Sequence, residues 1–385
     1  MKLNYKMLGG YIRQIDVRNT KGKEENLLGV SVQKTFIPSI ANTVGTDFTK
    51  YKVVKKGQFT YIPDTSRRGD KIGIALLQDY DEGLVSNVYT VFEVIDTEKL
   101  LPEYLMLWFS RAEFDRYARF KSHGSVREIF DWNELCMVEL PVPAIEEQRN
   151  IVKAYKTVTD RIALKKRIND NLTETVQALY KSMFLNSGFQ YEQKPLAEVC
   201  SKIGSGATPK GGKTAYCDTG IALIRSTNVV DYGFIYDGLA HITDKQADNL
   251  SNVVVNAGDV LFNITGVSVA RCCMVPDDVL PARVNQHVMI IRPKMGRDMS
   301  YYVMATLCHS ENKLKLLGIA QSGSTREAIN KQEMENFCIP IPPDPDIHGF
   351  GAKAEALFSN ISTNTNEIRQ LFDIQGLLLS RLSSR

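Results

Sequence analysis

An internal repeat constrains the fold of this 385-residue chain more than any other feature. The segment GSVREIFDWNELCMVELPVP (124–143) aligns without a gap with GSTREAINKQEMENFCIPIP (323–342), at an offset of 199 and with seven identical positions. Upstream, VKKGQFTY (54–61) parallels VNAGDVLF (255–262) at nearly the same offset, and the alternation of β-branched and aromatic residues predicts short strands. The repeat therefore predicts two copies of one mixed α/β domain.

Each copy ends in a Pro-x-Pro sequence and then continues into a long predicted helix. The first of these, 144–184, contains neither Gly nor Pro, and its seam residues recur with heptad spacing. At about 1.5 Å per residue this helix is roughly 60 Å long, which is too long for the core of one domain. Adding 199 to each number gives the same seam in the second helix. The expected helix-pairing residues are Tyr155, Val158, Ile162, Lys165, Leu172, Val176, Leu179, Leu357, Ile361, Asn364, Ile368, Leu371 and Leu378.

This order of elements predicts an α+β fold in which two tandem domains alternate with two long helices. We expect the helices to pair as an antiparallel coiled coil under a pseudo-twofold, with the domains at opposite ends. Lys165 and Asn364 are equivalent seam residues near mid-helix, and we expect them to lie close together. An alternative stays open, in which each helix packs on its own neighbouring domain. The predicted boundaries are 1–143 and 189–342 for the domains, and 144–188 and 343–385 for the helices.

Composition excludes several classes of protein but does not indicate a binding partner. Hydrophobic residues make up 43% of the chain and charged residues 24%, which is typical of globular proteins and not of disordered or collagen-like chains. The 47 Lys and Arg residues nearly balance the 44 Asp and Glu residues, so any basic surface must come from placement. No apolar run approaches the ~20 residues of a membrane span, and no signal-peptide pattern is present, so we expect a cytoplasmic protein with reduced cysteines.

No complete catalytic or metal-binding motif is present in the sequence. GSGATPKGGKT (204–214) resembles a phosphate-binding loop, but Ala207 stands where that motif requires Gly. The five histidines show neither H-E-x-x-H spacing nor a local cysteine partner at the spacing of zinc ligands, and the chain lacks G-x-S-x-G and [DN]-P-P-[YF] sequences. We therefore expect no catalytic residue and no metal, although sequence alone leaves open a carboxylate pair formed in three dimensions.

Several strings resemble the specificity subunit of type I restriction-modification systems over essentially the whole chain. PVPAIEEQRNIV (141–152) is similar to the junction at which a recognition domain enters its helix. GSGATPKGGKTAYCDTGIALIRSTNV (204–229) resembles the start of such a domain, and AGDVLFNITGVSVARCCMV (257–275) with VNQHV (284–288) resembles its central strands. LLGVSVQK and FTKYKVVKKGQFTY in the first domain are similar to a different recognition-domain subtype.

The resemblance implies a non-catalytic subunit that reads double-stranded DNA. Each of two target-recognition domains would read half of a split sequence, and the helices would dock methyltransferase subunits, two of which are expected. S-adenosylmethionine would bind in that partner, which would methylate adenine N6, and restriction or translocase subunits are a further implied partner. The second junction (340–357) lacks the Glu-Gln-Arg element and contains Gly349 and Gly351, so we expect its helix to begin late and the two docking sites to differ.

Base readout needs polar side chains that reach the donor and acceptor edges of bases in the major groove. Loops that combine such residues with Gly are the best candidates. Arg127 and Arg326 recur in the GS-x-RE element, where a phosphate contact and a structural Arg-Glu pair are equally reasonable interpretations. The candidate DNA-binding residues are Gln33, Lys34, Thr65, Ser66, Arg67, Arg68, Lys71, Asn87, Arg127, Thr208, Lys210, Lys213, Arg225, Asn228, Thr265, Ser268, Arg271, Asn285, Gln286 and Arg326.

Other classes of function stay open at this point. A coiled-coil assembly scaffold would show no salt-dependent affinity for DNA, whereas a DNA-binding protein loses affinity steeply as salt rises. A stand-alone DNA-binding regulator would bind DNA without a methyltransferase partner. A cryptic nuclease or methyltransferase would act on DNA without added subunits.

Overall fold

Ten short strands and three short helices form the first domain in the computed structural model, which describes residues 5–40, 43–64, 71–123, 128–186, 188–322 and 327–382. The helices are α1 (Pro102–Phe109), α2 (Ala112–Phe120) and α3 (Trp132–Cys136). The strands are β1 (Tyr5–Met7), β2 (Ile12–Ile15), β3 (Leu28–Val30), β4 (Phe36–Pro38), β5 (Lys52–Lys55), β6 (Phe59–Tyr61), β7 (Ile74–Leu76), β8 (Glu82–Val85), β9 (Thr90–Val94) and β10 (Glu139–Pro141).

The second domain contains twelve strands and five helices within the described residues. The helices are α5 (Leu196–Val199), α6 (Asp244–Asp248), α7 (Gly296–Cys308), α8 (Ser310–Gln321) and α9 (Lys331–Glu335). The strands are β11 (Glu192–Pro195), β12 (Cys200–Ser205), β13 (Ile221–Ile224), β14 (Val229–Val230), β15 (Gly233–Phe234), β16 (Ala240–Ile242), β17 (Val254–Val255), β18 (Val260–Asn263), β19 (Cys272–Met274), β20 (Ala282–Val284), β21 (Val288–Pro293) and β22 (Cys338–Ile341). Cys272 and Cys273 are the first two residues of β19, where both are buried, and all seven cysteines are free.

The repeat is visible in the main sheet of each domain. In the first domain the antiparallel strand order is β2-β9-β6-β7, and in the second it is β12-β21-β18-β19, which is the same order in equivalent strands. The Glu shared by both copies follows a helix cap in each. Asp131 Oδ1 accepts a hydrogen bond from the Glu134 backbone N–H, and Asn330 Oδ1 accepts one from the Glu333 backbone N–H, each at 2.9 Å.

The strands beside the main sheet differ between the domains. In the first domain β5 pairs with β8, and β3 pairs with β4, as separate two-stranded ribbons. In the second domain β16-β13-β20-β17 form a four-stranded sheet in which β13 and β20 run parallel. The two domains therefore differ outside their main sheets, and their assignment to different subtypes stays a prediction.

The two long helices are α4 (Ile145–Tyr180) and α10 (Asp344–Arg381), and each contributes residues to both compact units of the structure. The first unit comprises residues 1–163 with 368–385, and the second comprises 164–367. Within the described residues, no helix combines the length and the apolar character that crossing a membrane requires.

The helices pair antiparallel within each unit. In the first unit, Ile162 packs against Ile368 and Leu371, and Gln375 Nε2 donates a hydrogen bond to Thr159 Oγ1 at 2.9 Å. The residue number rises along α4 as it falls along α10, which is the antiparallel direction. The prediction of paired helices is confirmed, and the alternative, in which each helix packs only on its neighbouring domain, is wrong.

Polar seam residues pair the helices in the second unit. Lys165 Nζ donates to Asn364 Oδ1 at 2.8 Å and forms an ion pair with Glu367 at 2.8 Å. Asn364 Nδ2 in turn donates to Asn169 Oδ1 at 2.9 Å. The expected proximity of Lys165 and Asn364 is therefore found, and their polar groups satisfy one another at a position that is largely shielded from water.

The prediction that the second helix begins late is wrong, because α10 begins at Asp344. Pro345 lies in the first turn, where a backbone N–H has no partner within the helix, so a proline costs little there. Gly351 is needed for close packing, since a Cβ at this position would lie 2.6 Å from the Cα of Asp298 in α7. The glycine that suggested a helix break thus permits a close approach between α10 and α7.

Candidate nucleic-acid interface

Gly206 locks the Gly-x-Thr-Pro turn of the second domain onto the turn between β20 and β21. The backbone N–H of Gly206 donates to Val288 O at 2.9 Å, and that of Ala207 donates to Val284 O at 3.1 Å. A Cβ on Gly206 would lie 2.1 Å from Val284 O, so any larger residue would push the two turns apart. The sequence therefore uses glycine here to bring two polar turns into contact.

A chain of polar side chains runs across these turns and reaches a third loop. Thr208 Oγ1 bonds Gln286 Oε1, and Gln286 Nε2 lies 3.0 Å from His287 Nε2. His287 Nδ1 lies 2.7 Å from Thr265 Oγ1. The structure thus brings together three predicted residues from separate segments, Thr208, Thr265 and Gln286, of which Thr208 and Gln286 are exposed.

Sequence reasoning missed His287, which links Gln286 to Thr265. The string VNQHV (284–288) was assigned to the central strands, but β21 begins only at its last residue, Val288. His287 is therefore a turn residue beside two predicted contacts. The signal that could have found it is its position directly after Gln286, in the polar turn Asn285-Gln286-His287.

The loop after β18 lies beside the segment that follows the repeated GS-x-RE element. Gly266 N–H donates to Glu327 O at 3.1 Å, and Thr265 forms a β-bridge with Ala328. On this loop Val267 is fully exposed, Ser268 is half-buried and Arg271 is exposed.

The first domain has the equivalent arrangement. Phe130 N–H donates to Pro63 O at 2.9 Å, and Asp64 forms a bridge with Ile129. The segment after the GS-x-RE element thus lies beside the segment after the equivalent strand in both copies. Thr65, Ser66, Arg67, Arg68, Arg127 and Arg326 lie outside the described residues, so their predicted roles stay predictions.

The segments that meet at Gln286 carry a positive charge. Residues 204–217 contain Lys210 and Lys213 and no acidic residue, and both lysines are exposed. Residues 260–276 contain Arg271 and again no acidic residue. Cationic side chains in the same segments as exposed polar side chains are the pattern expected of a surface that contacts phosphate while it reads bases.

Three predicted residues of the second domain instead hold its loops together. Asn228 is fully buried, where its Oδ1 accepts from the Arg225 backbone N–H at 2.9 Å and its Nδ2 donates to Ile235 O at 2.8 Å. The Arg225 guanidinium bonds Gly238 O. Asn285 is 8% exposed, and its Oδ1 accepts from the His287 backbone N–H at 3.1 Å. Direct base contacts by Asn228 and Asn285 are therefore not supported, because both side chains are buried and each already bonds a backbone group.

Lys34 of the first domain is also turned away from solvent. Its backbone has the left-handed φ of 64°, and its ammonium forms an ion pair with Asp115 at 2.7 Å and donates to Phe109 O. Burial lowers the pKa of Lys34, against the opposing effect of the Asp115 carboxylate. The predicted DNA contact by Lys34 is thus replaced by an internal ion pair.

The other described candidates of the first domain are exposed. Gln33 lies at the tip of the β3–β4 hairpin, next to the inward-facing Lys34, and Lys71 is exposed just before β7. Asn87 lies in the turn between β8 and β9, at an offset of 199 from Gln286. The repeat therefore places an exposed amide at the same turn of both domains.

The Glu-Gln-Arg element of the first junction has a structural centre. Gln148 is fully buried, accepts from the Leu101 backbone N–H at 2.9 Å, and donates to Lys99 O and Pro143 O at 2.9 Å. The repeat offset places Ile347 at the equivalent position, where it is buried in the apolar core. The loss of this element from the second copy therefore changes how the junction packs, and the inequivalence of the two docking sites stays a prediction.

Metal and thiol chemistry find no support in the described part of the chain. There, no group of three His, Cys, Asp or Glu residues is placed to hold a metal ion. Burial raises the pKa of the Cys272 and Cys273 thiols, which keeps them protonated and unreactive.

Two related α/β domains, each with the same main sheet and each joined to a paired long helix, define a class of tandem-domain proteins. A family model described as type I restriction modification DNA specificity domain matches residues 13–174 and 190–370. The chain therefore belongs to this family and carries two copies of its domain, which confirms the family resemblance and the fold class predicted from sequence.

Curated relatives and a solved structure agree with this assignment. The chain is 25% identical over 309 residues to the type I restriction enzyme MjaIX specificity subunit of Methanocaldococcus jannaschii, covering 75% of this chain and 70% of that protein. It is 23% identical to the type I restriction enzyme HindI specificity subunit of Haemophilus influenzae, covering 86% of each. The S subunit of a type I restriction-modification system from M. genitalium shares the fold with a TM-score of 0.62 at 12% identity, over 100% of this chain and 97% of that one.

Proposed function

We propose that this chain selects the DNA target of a type I restriction-modification complex, with each domain reading one half of a split sequence. The observation that carries the proposal is the meeting of Thr208, Gln286 and Thr265, which come from three separate segments of the second domain. Polar side chains of these types read base edges in the major groove, while neighbouring lysines bind phosphate. The family match to both copies supports two half-sites.

The partners are the methyltransferase subunits of the complex, and we propose two of them, docked on the paired helices. Both helices expose large apolar side chains that the fold leaves uncovered, such as Leu164 (53% exposed) on α4 and Leu377 (62% exposed) on α10. Exposed apolar side chains on a helix favour contact with another protein. A restriction or translocase subunit is a further proposed partner.

The subunit itself is not catalytic. We assign methyl transfer to adenine N6, and the binding of S-adenosylmethionine, to the methyltransferase subunits, which would flip the target base out of the duplex. The complex would act in the cytoplasm on the DNA of the cell. Support for this division of labour is the family of the chain.

Methylome sequencing of the host and of a strain lacking this chain tests the proposal. A split motif with an unspecified centre should be methylated in the host and unmethylated in the deletion strain, and a plasmid copy of the chain should restore it. An unchanged methylome would contradict the proposal. A scaffold would show no salt-dependent affinity for DNA, whereas a stand-alone regulator would show such affinity but leave methylation unchanged.

A further inference from the structure

The amide of Gln286 is held at both of its ends. Thr208 Oγ1 bonds the amide oxygen, and the amide nitrogen lies 3.0 Å from His287 Nε2. Because an amide nitrogen donates and cannot accept, His287 Nε2 is the acceptor and the neutral ring carries its proton on Nδ1. That proton is donated to Thr265 Oγ1 at 2.7 Å. In this arrangement the amide is held with its oxygen toward Thr208 and its nitrogen toward His287.

The held amide keeps part of its bonding capacity free for a ligand. A primary amide has two N–H donors and a carbonyl oxygen with two lone pairs. Thr208 and His287 use one of each among the residues that the structure describes, so one donor and one lone pair of the exposed Gln286 remain. A donor beside an acceptor matches adenine, which presents N7 as acceptor and N6–H as donor in the major groove, whereas guanine presents two acceptors.

We propose that Gln286 reads an adenine in the half-site bound by the second domain, and that His287 is the positioning residue that orients its amide. The inference rests on the proposed function and adds to it the identity of one base. Because the Gln286 side chain is already ordered in the free protein, less conformational entropy is lost when DNA binds. Thr208 and Thr265 form the two ends of this series of hydrogen bonds.

Binding of the full-length chain to duplexes of defined sequence tests the base contact. The split sequence is first selected from a randomised duplex pool, and each adenine of the second domain's half-site is then replaced by 7-deazaadenine, which lacks the N7 acceptor. At one position the replacement should weaken wild-type binding by about 5- to 150-fold, the equivalent of 1 to 3 kcal/mol. Gln286→Ala should lose a similar factor and no longer respond to the analogue, whereas losses that simply multiply would overturn the contact.

A change of base preference gives a second, independent readout. Gln286→Glu replaces the donor with an acceptor, and a carboxylate accepts from cytosine N4. The pool selected by this variant should change from adenine to cytosine at the same position and stay unchanged in the other half-site. Gln332→Glu, at an exposed position of α9, makes the same change in charge and should select the wild-type sequence.

The role of His287 is tested with His287→Phe, which keeps a ring and removes both nitrogen atoms. Preference at the Gln286 position should fall several-fold while the rest of the selected sequence is retained, and a uniform loss across all positions would overturn the positioning role. If every variant selects the wild-type sequence, the inference is wrong and the proposed function stands. If the wild-type chain selects no split sequence, the proposed function fails and the inference fails with it.

Discussion

Lys34 and Asp115 form an ion pair in the interior of the first domain, with Nζ and Oδ1 2.7 Å apart and side chains that are 7% and 9% exposed. Asp115 Oδ1 also accepts the Ile72 backbone N–H at 3.1 Å. The pair therefore ties the β3–β4 hairpin to α2 and to the segment that leads into β7. Its geometry decides the role of Lys34, because an ammonium that neutralises a buried carboxylate cannot also bind phosphate.

Replacing only one partner of this pair should destabilise the domain. Lys34→Met leaves the Asp115 carboxylate buried without its counter-ion, which costs about 3 to 5 kcal/mol in the free energy of unfolding. The double variant Lys34→Met with Asp115→Leu should recover much of that loss. Urea denaturation measures both effects. A Lys34→Met protein of normal stability with weakened DNA binding would show that the lysine contacts DNA after all.

Two glycines of α10 should respond to alanine in opposite ways. Gly351→Ala places a Cβ against the backbone of Asp298, so α10 must shift away from α7 and the free energy of unfolding should fall by about 1 to 3 kcal/mol. Gly349→Ala meets no atom within 4 Å and should stabilise the protein by about 0.5 to 1 kcal/mol, since alanine favours the helix. Thermal unfolding of the two variants measures the contrast, and equal effects would contradict the close packing of Gly351.

The buried Gln148 should be important for stability and not for docking. Gln148→Ala leaves the Leu101 N–H and two backbone carbonyls without their partner, which should cost about 1 to 3 kcal/mol. The neighbouring Glu147→Ala changes an exposed side chain and serves as the control. Unfolding and co-purification with the proposed methyltransferase subunit are both measured. Loss of the partner from a fully stable Gln148→Ala protein would contradict the structural role.

The polar seam residues Lys165, Asn169 and Asn364 should depend on one another for stability. Asn364→Leu removes the partner that Lys165 and Asn169 share, so it should destabilise the protein by about 1 to 3 kcal/mol. Lys165→Met combined with Asn364→Leu should be more stable than Asn364→Leu alone, because both seam positions are then apolar. A double-mutant cycle on thermal unfolding measures the coupling. Simple additivity would mean that the Lys165–Asn364 bond contributes nothing.

The lysines beside Thr208 should contact phosphate and carry no sequence information. Lys210→Gln and Lys213→Gln should each weaken binding to all duplexes alike and reduce the slope of log affinity against log salt by about 0.9. Lys245→Gln, exposed on α6, serves as the matched control. Fluorescence anisotropy over a salt series measures the slope. A change in the selected sequence instead of the slope would assign base contacts to these lysines.

Sequence alone could predict the features that depend on pattern and period. The repeat identified equivalent strands, and the heptad spacing identified the seam that joins Ile162 to Ile368. The sequence could not predict which polar side chains are buried. Asn228 and Asn285 look like exposed loop residues in the sequence, but both are buried and bond backbone groups of their own loops. Such contacts depend on how loops fold back, which local propensity does not determine.

The outer strands were the other feature beyond the reach of sequence. Strands of two to four residues, such as β14 (Val229–Val230) and β17 (Val254–Val255), are too short for alternating apolar and polar residues to indicate which strands they pair with. Their pairing depends on distant segments, as when β17 pairs with β20. The prediction that α10 begins late was wrong for a similar reason, because Gly351 permits close packing against the distant residue Asp298 and does not end the helix.

The shared main sheet and the unlike strands beside it have a consequence for how such a protein changes its target. The sheet that faces the helices is preserved in both copies, whereas the ribbons of one copy are replaced by a mixed sheet in the other. Remodelling confined to those outer strands would redirect the exposed turns that bear Asn87 and Gln286 and leave the joint to the helices intact. New binding preferences could thus arise one domain at a time, without rebuilding the paired helices.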